Sequence, residues 1–340
     1  MTTMATMQAI MIDPARNGRA EALVPTQFAR PTPQRGEVLI EVVSAGVNRA
    51  DVMQRQGNYP PPRGASELPG LEVSGRIAAL GPDSESSGFS IGEEVCALLS
   101  GGGYAEYVAV PACQVLPLPP NVPLKDAAAL PEVACTVWSN LVMEAGLRSN
   151  ESVLLHGGSS GIGTMAVQVA KYLGAHVFVT AGAAEKLEKC SSLGADVLVN
   201  YREEDFVERV NTTTKGRGVN VILDVVGGQY LERNVQALSP DGRLVVIGLI
   251  GGKEGKLDLG ALLMKRGRVL ATSLRSRSVE DKASIVREVR AHLWPLFAAD
   301  RPLPIRTVIH SRHPLTEAAA AHREMEASQH IGKILLDVSN

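Results

Sequence analysis

The chain has 340 residues, 45% hydrophobic and 21% charged, with a net charge of −2. That length has room for two domains with buried cores, and the near-neutral charge, without a long basic run, argues against a phosphate-tracking nucleic-acid surface. The four cysteines, Cys96, Cys113, Cys135 and Cys190, lie far apart with no Cys-x-x-Cys pair, so neither a disulfide framework nor a structural zinc lobe is readable, and reduced thiols in a cytoplasmic protein fit best.

The first residues show no basic segment followed by a long apolar one, so they do not read as a signal peptide. Met4 or Met7 could equally serve as the start, with the first six residues expected to fray. Nowhere do 18 apolar residues run uninterrupted, and no membrane span is expected. From Met7 to Pro120 the apolar runs are short and β-branched: Val38–Ser44, Val73–Leu80, Val95–Leu99 and Ala105–Val110. Pro- and Gly-rich stretches separate them, which predicts a barrel-like β domain with long loops.

From Ser152 the rhythm changes. Strand-like runs begin near Ser152, His176, Val197, Val219, Arg243 and Arg268, at even spacing. Helical stretches fill the gaps: Thr164–Leu173 closed by Gly174, Glu185–Leu193 closed by Gly194, and Gln229–Leu238. Six strands alternating with helices predict a doubly wound parallel sheet. After Ser273 follow an amphipathic stretch, Glu280–Phe297, then Pro302-Leu-Pro304 and a βαβ-like tail ending at Asp337.

The segment Leu154–Gln168 passes from an apolar strand through small residues into an apolar helix, and Gly161-Ile-Gly163-Thr-Met-Ala166 fits G-x-G-x-x-A. At the opening of a doubly wound half, such a turn presents backbone N–H groups at the positive end of a helix, where a dinucleotide pyrophosphate binds. A tight turn that only packs helix on sheet is the bland alternative. An NAD site usually places Asp or Glu about 20 residues on. Here the second strand ends Val179-Thr-Ala-Gly182 without an acid, Lys186 follows, and Tyr201 comes after the third strand. Without a carboxylate to repel it and with a lysine to attract it, a 2′-phosphate is favoured, hence NADPH. Lys186 also reads as a solvated helix position beside Glu185, Glu188 and Lys189, and Tyr201 as a packed ring.

At this point the chain resembles a known family. Ala45-Gly-Val-Asn-Arg-Ala-Asp51, Leu68-Pro-Gly-Leu-Glu-Val-Ser-Gly75, Gly101-Gly-Gly-Tyr-Ala-Glu-Tyr107, Ala129-Leu-Pro131, the Gly161 turn and Ile331-Gly-Lys333 look like the medium-chain dehydrogenases/reductases. More narrowly they resemble the zinc-free, zeta-crystallin-like quinone oxidoreductase branch, from about Met7 to Asp337. The run from Arg49 through Tyr59-Pro-Pro-Pro and Leu274-Arg-Ser-Arg277 looks like the stress-inducible animal quinone oxidoreductases of that branch. One departure is Gly157-x-x-Ser160-x-x-Gly163, where the family often has A-x-x-G-x-x-G.

The resemblance implies a GroES-like β-barrel catalytic domain over 1–126, an NADPH-binding Rossmann domain with a six-stranded sheet over 127–273, and a return to the catalytic domain over 274–340. It implies that the C-terminal tail packs back on the barrel. It implies that Ser160, Gly161, Ile162 and Gly163 line the pyrophosphate, and that Gly182, Lys186 and Tyr201 hold the adenosine 2′-phosphate. Ile247, Gly248, Leu249, Ile250 and Gly251, with Leu274, Arg275 and Ser276, would flank the nicotinamide, and Asn48, Tyr59 and Lys333 would approach from the barrel. It also implies a homodimer in which the edge of the last Rossmann strand, Arg268–Ser273, pairs with its copy, since a bare strand edge needs covering.

Zinc-dependent relatives place a Cys near Gly46–Asp51, a His in Gly-His-Glu and a later Cys. Here Asn48 and Leu71 stand in the first two slots, and Glu72 and Cys135 do not make a catalytic set of three ligands. Without a Lewis acid, a substrate that already accepts hydride readily is expected, and a quinone fits, with the protein positioning nicotinamide and acceptor. Asn48 and Tyr59 are candidates to hydrogen-bond a quinone oxygen and Asp51 to orient its neighbours, each with a structural role as the alternative. His156 reads as a satisfied core histidine, and His310, His313, His322 and His330 show no ligand spacing. The sequence therefore points to an NADPH:quinone reductase. The alternatives are an enal or enone reductase and a crystallin-type or RNA-binding cofactor protein with negligible turnover.

Overall fold

The computed structural model describes residues 5–84, 88–300 and 304–338. Residues 1–4 of the stretch expected to fray, and Pro302 and Leu303, lie outside them. The chain forms two compact units, Met1–Cys135 with Leu274–Asn340, and Thr136–Ser273. It enters the second unit later than residue 126 because Ala128 and Ala129 are buried against Leu335 of the first.

In the first unit, β1 (Thr6–Ile12) pairs antiparallel with β2 (Leu23–Ala29). β3 (Glu37–Val47) is the central strand and runs into the short helix α1 (Arg49–Arg55). β4 (Glu72–Leu80), β5 (Glu94–Leu98), β6 (Tyr107–Pro111) and β7 (Val115–Pro117) follow, then α2 (Leu124–Ala127) and α3 (Pro131–Val137). β3 pairs antiparallel with both β4 and β6, and β4–β5–β7 continue the sheet. β3 is buried nearly throughout except at Glu41, which explains apolar stretches on either side of it in place of a strict alternation.

The second unit carries β8 (Ser152–His156), α4 (Gly161–Tyr172), β9 (His176–Ala181), α5 (Ala184–Ser192), β10 (Val197–Asn200) and α6 (Phe206–Thr214). β11 (Val219–Asp224), α7 (Leu231–Ala237), β12 (Leu238–Val246), α8 (Leu259–Met264) and β13 (Arg268–Ala271) complete it. All neighbours are parallel, in the order β10-β9-β8-β11-β12-β13. That order reverses between β8 and β11, the switch point where doubly wound sheets bind ligands. Gly174 and Gly194 have φ of +77° and +110° just beyond α4 and α5, the left-handed conformation that ends a helix.

Two expectations in this unit need correction. The stretch Gln229–Leu238 is helical only over Leu231–Ala237; a 3-10 turn, Gly228–Tyr230, precedes it. Leu238 already pairs with Val219, so β12 begins there and not near Arg243. α6 escaped notice, although Asp205 caps it by accepting the N–H groups of Val207 (2.7 Å) and Glu208 (3.2 Å).

Back in the first unit, α9 (Val279–Glu288) covers only the front of the amphipathic stretch Glu280–Phe297. The chain then widens over Val289–Leu293 and tightens to a 3-10 turn at Trp294–Phe297, where Pro295 cannot continue an α-helix. β14 (Ile309–Pro314), α10 (Ala318–Ala327) and β15 (Lys333–Asp337) form the βαβ tail, with β14 and β15 parallel. β15 pairs antiparallel with β3, Ile334 opposite Val47 and Asp337 opposite Ser44, so the tail does join the barrel sheet. Among the described residues no helix is long and apolar enough to cross a membrane, and the four cysteines are free.

Candidate cofactor and active site

In the second unit, β8 ends at a turn that brings backbone onto backbone. Gly157 has φ of +68°, which L residues avoid. A Cβ on Gly158 would meet Val179 at 2.8 Å, and one on Gly163 would collide with the carbonyls of Gly157 and Gly158. Ser160 caps α4, its Oγ accepting the N–H of Gly163 at 3.0 Å. The N–H groups of Gly161 and Ile162 stand at the open end of the helix, where no preceding turn can accept them. With the helix dipole behind them, they suit an anion.

At the tips of β9 and β10, Gly182 faces Tyr201 and Arg202. A Cβ there would lie 2.6 Å from the Tyr201 hydroxyl and 3.1 Å from Nε of Arg202. Burial and the nearby Arg202 guanidinium hold the Lys186 ammonium below its ordinary pKa. Two cations near enough to repel one another, one of them beside a hydroxyl, suit a multivalent anion. Arg202 was missed in the sequence, although it follows Tyr201 directly.

The third loop, Ile247–Gly251, follows β12. The N–H of Ile247 donates to Asp224 O (2.8 Å) and that of Gly251 to Val226 O (2.7 Å), which fixes the loop to the end of β11. A Cβ on Gly248 would sit 2.8 Å from Val225 O. Leu249 and Ile250 remain exposed. The second unit thus brings together the turn at 160–163, the cluster Gly182, Lys186 and Tyr201, and this loop, all at the C-terminal ends of its strands.

In the first unit the structure gathers a buried polar cluster. Nζ of Lys333 donates to Glu72 Oε1 (2.6 Å), Asn48 Oδ1 (2.7 Å) and Val47 O (2.9 Å). Asn48 Nδ2 donates to Glu72 Oε1 at 2.9 Å and Gly46 O at 3.4 Å, and Glu72 Oε2 accepts the N–H of Glu132 at 2.8 Å. Lys333 therefore spends its three hydrogens inside the protein. Asp51, fully buried, accepts the N–H groups of Asn48 (2.8 Å) and Gly70 (3.0 Å) and the Tyr104 hydroxyl (3.3 Å). This is the anchoring arrangement of a helix-start carboxylate; burial pushes its pKa up to about 6, against the pull of those N–H groups.

Tyr104 also meets Nε2 of His322 at 3.0 Å, and Arg55 Nη1 lies 3.3 Å from Nδ1. Arginine can only donate, so Nδ1 accepts and Nε2 carries the proton. Burial, and then the Arg55 charge, push His322 down to about 3, keeping it neutral. Burial and the Glu72 carboxylate push Glu132 up to about 8. Arg275 is buried, donating to Gln54 Oε1 (2.7 Å), Ser100 O (2.9 Å) and Tyr59 O (3.3 Å). Leu274 is buried beside it and Ser276 is exposed.

Residues 34–120 match the family described as Alcohol dehydrogenase GroES-like domain, and residues 161–289 match Zinc-binding dehydrogenase. The chain is 30% identical over 308 residues to quinone oxidoreductase of Rattus norvegicus, covering 90% of both chains. The chain belongs to the quinone oxidoreductases of the medium-chain dehydrogenase/reductase family. Among solved structures, Escherichia coli quinone oxidoreductase complexed with NADPH is similar at 29% identity and TM-score 0.84, covering 98% of this chain and all of that one. The CurK enoyl reductase is similar at 28% identity and TM-score 0.85, with 98% and 100% covered. The chain also spans 15% of the length of a Mycobacterium tuberculosis phenolphthiocerol/phthiocerol polyketide synthase subunit, to which it is 30% identical over 336 residues.

For this quinone oxidoreductase family member the name of the second match raises the question of zinc. The side chains do not fit it. Asn48 and Leu71 stand where a Cys and a His would ligate, and an ammonium, that of Lys333, occupies the space between Asn48 and Glu72. The Lys333 amine is already paired with Glu72, and a metal would have to displace it. Among the described residues no three His, Cys, Asp or Glu side chains converge to hold a metal ion.

Proposed function

We propose that this oxidoreductase is an NADPH-dependent quinone reductase that works without a metal. The cofactor half rests on the Tyr201 hydroxyl and Arg202 packed against Gly182, on Lys186 close enough to feel the Arg202 charge, and on the lack of a carboxylate at the end of β9. That chemistry favours a 2′-phosphate over a bare ribose hydroxyl. The NADPH in the related E. coli structure supports the same choice. The acceptor half rests on the match to rat quinone oxidoreductase over 90% of both chains.

NADPH, when bound, supplies a hydride to the quinone, whose reduced oxygen takes its proton from solvent to give the hydroquinone and NADP⁺. The chain's own residues bind and orient. Gly161 and Ile162 offer N–H groups to the pyrophosphate, with Ser160 and Gly163 holding the turn. Ile247–Gly251 flanks the nicotinamide, and Tyr59 is the candidate to hydrogen-bond a quinone oxygen. Asn48, with oxygen and amide hydrogens all engaged, is a positioning residue, as are Asp51 and Lys333.

A second reading is reduction of an enal or enone, favoured by the likeness to the CurK enoyl reductase. That reaction needs a proton delivered to carbon, and Glu132, neutral at pH 7, is the acid closest to this requirement.

The protein is also proposed to be a homodimer. β13 ends its sheet with one edge unpaired among the described strands, and the preceding helix α8 exposes Leu259, Leu263 and Met264 at 68%, 73% and 77%. Two such faces related by a two-fold axis cover both the edge and the apolar residues. The functional reading is tested by titrating the protein with NADPH and NADH, then adding 1,2-naphthoquinone with a chelator present. Tighter NADPH binding and chelator-resistant turnover are the expected outcome; NADH preference or loss of activity in chelator would refute it.

A further inference from the structure

His156 closes β8, is 2% exposed, and has both ring nitrogens engaged. Nε2 lies 2.8 Å from Asn234 Oδ1 and Nδ1 lies 3.1 Å from Thr180 Oγ1. Asn234 Nδ2 donates to Asp224 Oδ2 at 3.1 Å, which fixes the amide with its oxygen toward the ring. The proton of His156 therefore sits on Nε2, and Nδ1 accepts from the Thr180 hydroxyl. Thr180 Oγ1 in turn accepts the N–H of Gly157 at a longer 3.4 Å. Every bond points the same way, from Gly157 through Thr180, His156 and Asn234 to Asp224, so each donor polarises the next. Thr180 is 2% exposed, and Asn234 and Asp224 are wholly buried. Burial holds His156 near 4, neutral at physiological pH. Phe206 and Tyr230 enclose it edge-on, with ring centroids 4.8 and 4.9 Å away.

The two ends of this chain of bonds are the two loops assigned to the dinucleotide. Gly157 opens the glycine turn. Asp224 accepts the N–H groups of Val226 (2.7 Å) and Gly227 (3.1 Å), and Val226 O holds Gly251 while Gly252 O holds Gly228. Between them stands Val225, whose Cγ2 lies 3.3 Å from where a Cβ on Gly157 would be, and whose Cα lies 3.1 Å from where a Cβ on Gly248 would be. The same residue thus packs against both loops.

We infer that Thr180, His156, Asn234 and Asp224 form a relay that sets the spacing between the 157–163 turn and the 247–251 loop, making them positioning residues for the dinucleotide. The inference rests on the reading that those loops hold NADPH. It differs from a merely structural role, which would lower stability without a selective effect on cofactor binding.

The test compares Thr180→Val, which removes one hydroxyl at nearly constant shape, with Val210→Ala, which opens a cavity in the same core without removing any hydrogen bond of the relay. Thr180→Val is expected to weaken NADPH binding roughly five- to tenfold, about the effect of one buried neutral hydrogen bond. Val210→Ala should lower the thermal midpoint at least as much and leave NADPH affinity within about twofold of wild type. Adding Thr180→Val to His156→Phe should change affinity little, because the relay is already broken. Nitrogen-15 NMR of the wild-type protein should show His156 protonated on Nε2 alone, without titrating above pH 5. Wild-type affinity in Thr180→Val, an equal loss in Val210→Ala, or a proton on Nδ1 would each overturn the inference. Wild-type protein that fails to bind NADPH, yet shows the Nε2 tautomer, would instead remove the cofactor reading on which it stands.

Discussion

The ammonium of Lys333 lies 2.6 Å from Oε1 of Glu72, and the two side chains are only 5% and 0% exposed. A buried pair of this kind contributes little net stability, but either member left alone is an uncompensated charge. Lys333→Met should therefore destabilise the protein by about 3–5 kcal/mol in urea denaturation. Glu72→Gln added to it should restore a large part, because no charge is then left behind. A double variant as unstable as the single one would show that Lys333 acts through packing and not as the cation of Glu72. The same geometry predicts no stoichiometric zinc by elemental analysis.

Glu132 supplies a pH test. Its folded pKa of about 8 lies above the ordinary 4.5, so the folded state holds its proton more tightly than the unfolded chain does. The stabilisation is complete below about pH 4.5, is lost as pH rises toward 8, and changes no further beyond that. Glu132→Gln should flatten this fall, raising the thermal midpoint over wild type most at pH 8 and above and least near pH 5. Parallel midpoint curves for the two proteins would contradict the shift.

Lys186→Ala should weaken NADPH by about 10–100-fold, the loss of a charge-assisted bond of about 1.5–3 kcal/mol. NADH, which lacks the phosphate, should hardly change. Arg202→Ala should behave alike, and Tyr201→Phe should cost less, about 0.5–1.5 kcal/mol. The ratio of NADPH to NADH affinity decides, because misfolding weakens both. An unchanged ratio in Lys186→Ala would leave the lysine a solvated helix residue.

The second unit was the more legible part of the chain. Its βα rhythm, the glycines closing α4 and α5, and the turn at Gly161 are local signals, each written within a few residues. The register in which β15 joins β3 was not legible, since it pairs Ile334 with Val47 across nearly the whole sequence. The resemblance implies that Lys333 approaches the nicotinamide from the barrel; that its hydrogens go to Glu72, Asn48 and Val47 depends on that same long-range pairing. Asp51 read equally as orienting carboxylate or helix anchor, and its bonds to Asn48 and Gly70 display the anchor. Thr180 and Asn234 carry no motif. Thr180 matters because the parallel pairing of β8 and β9 sets it opposite His156, and Asn234 because α7 packs against the same strand end.

The dimer face can be broken without touching either candidate site. Leu263→Glu combined with Met264→Lys puts charge on exposed positions of α8, so folding should survive while self-association weakens. Sedimentation at micromolar concentration should show a dimer, or a tetramer built from it, for wild type and a monomer for the variant. A wild-type monomer would argue against the assembly.

The proposed function requires this site to reduce quinones in preference to activated double bonds. The direct measurement is kcat/KM for 1,2-naphthoquinone and for a trans-2-alkenal, followed as loss of NADPH absorbance with a chelator present. The predicted result is a ratio of at least about 10 in favour of the quinone, equivalent to about 1.4 kcal/mol of transition-state preference. A ratio below one, with Glu132→Gln abolishing alkenal turnover, would contradict it and make the protein an enone reductase.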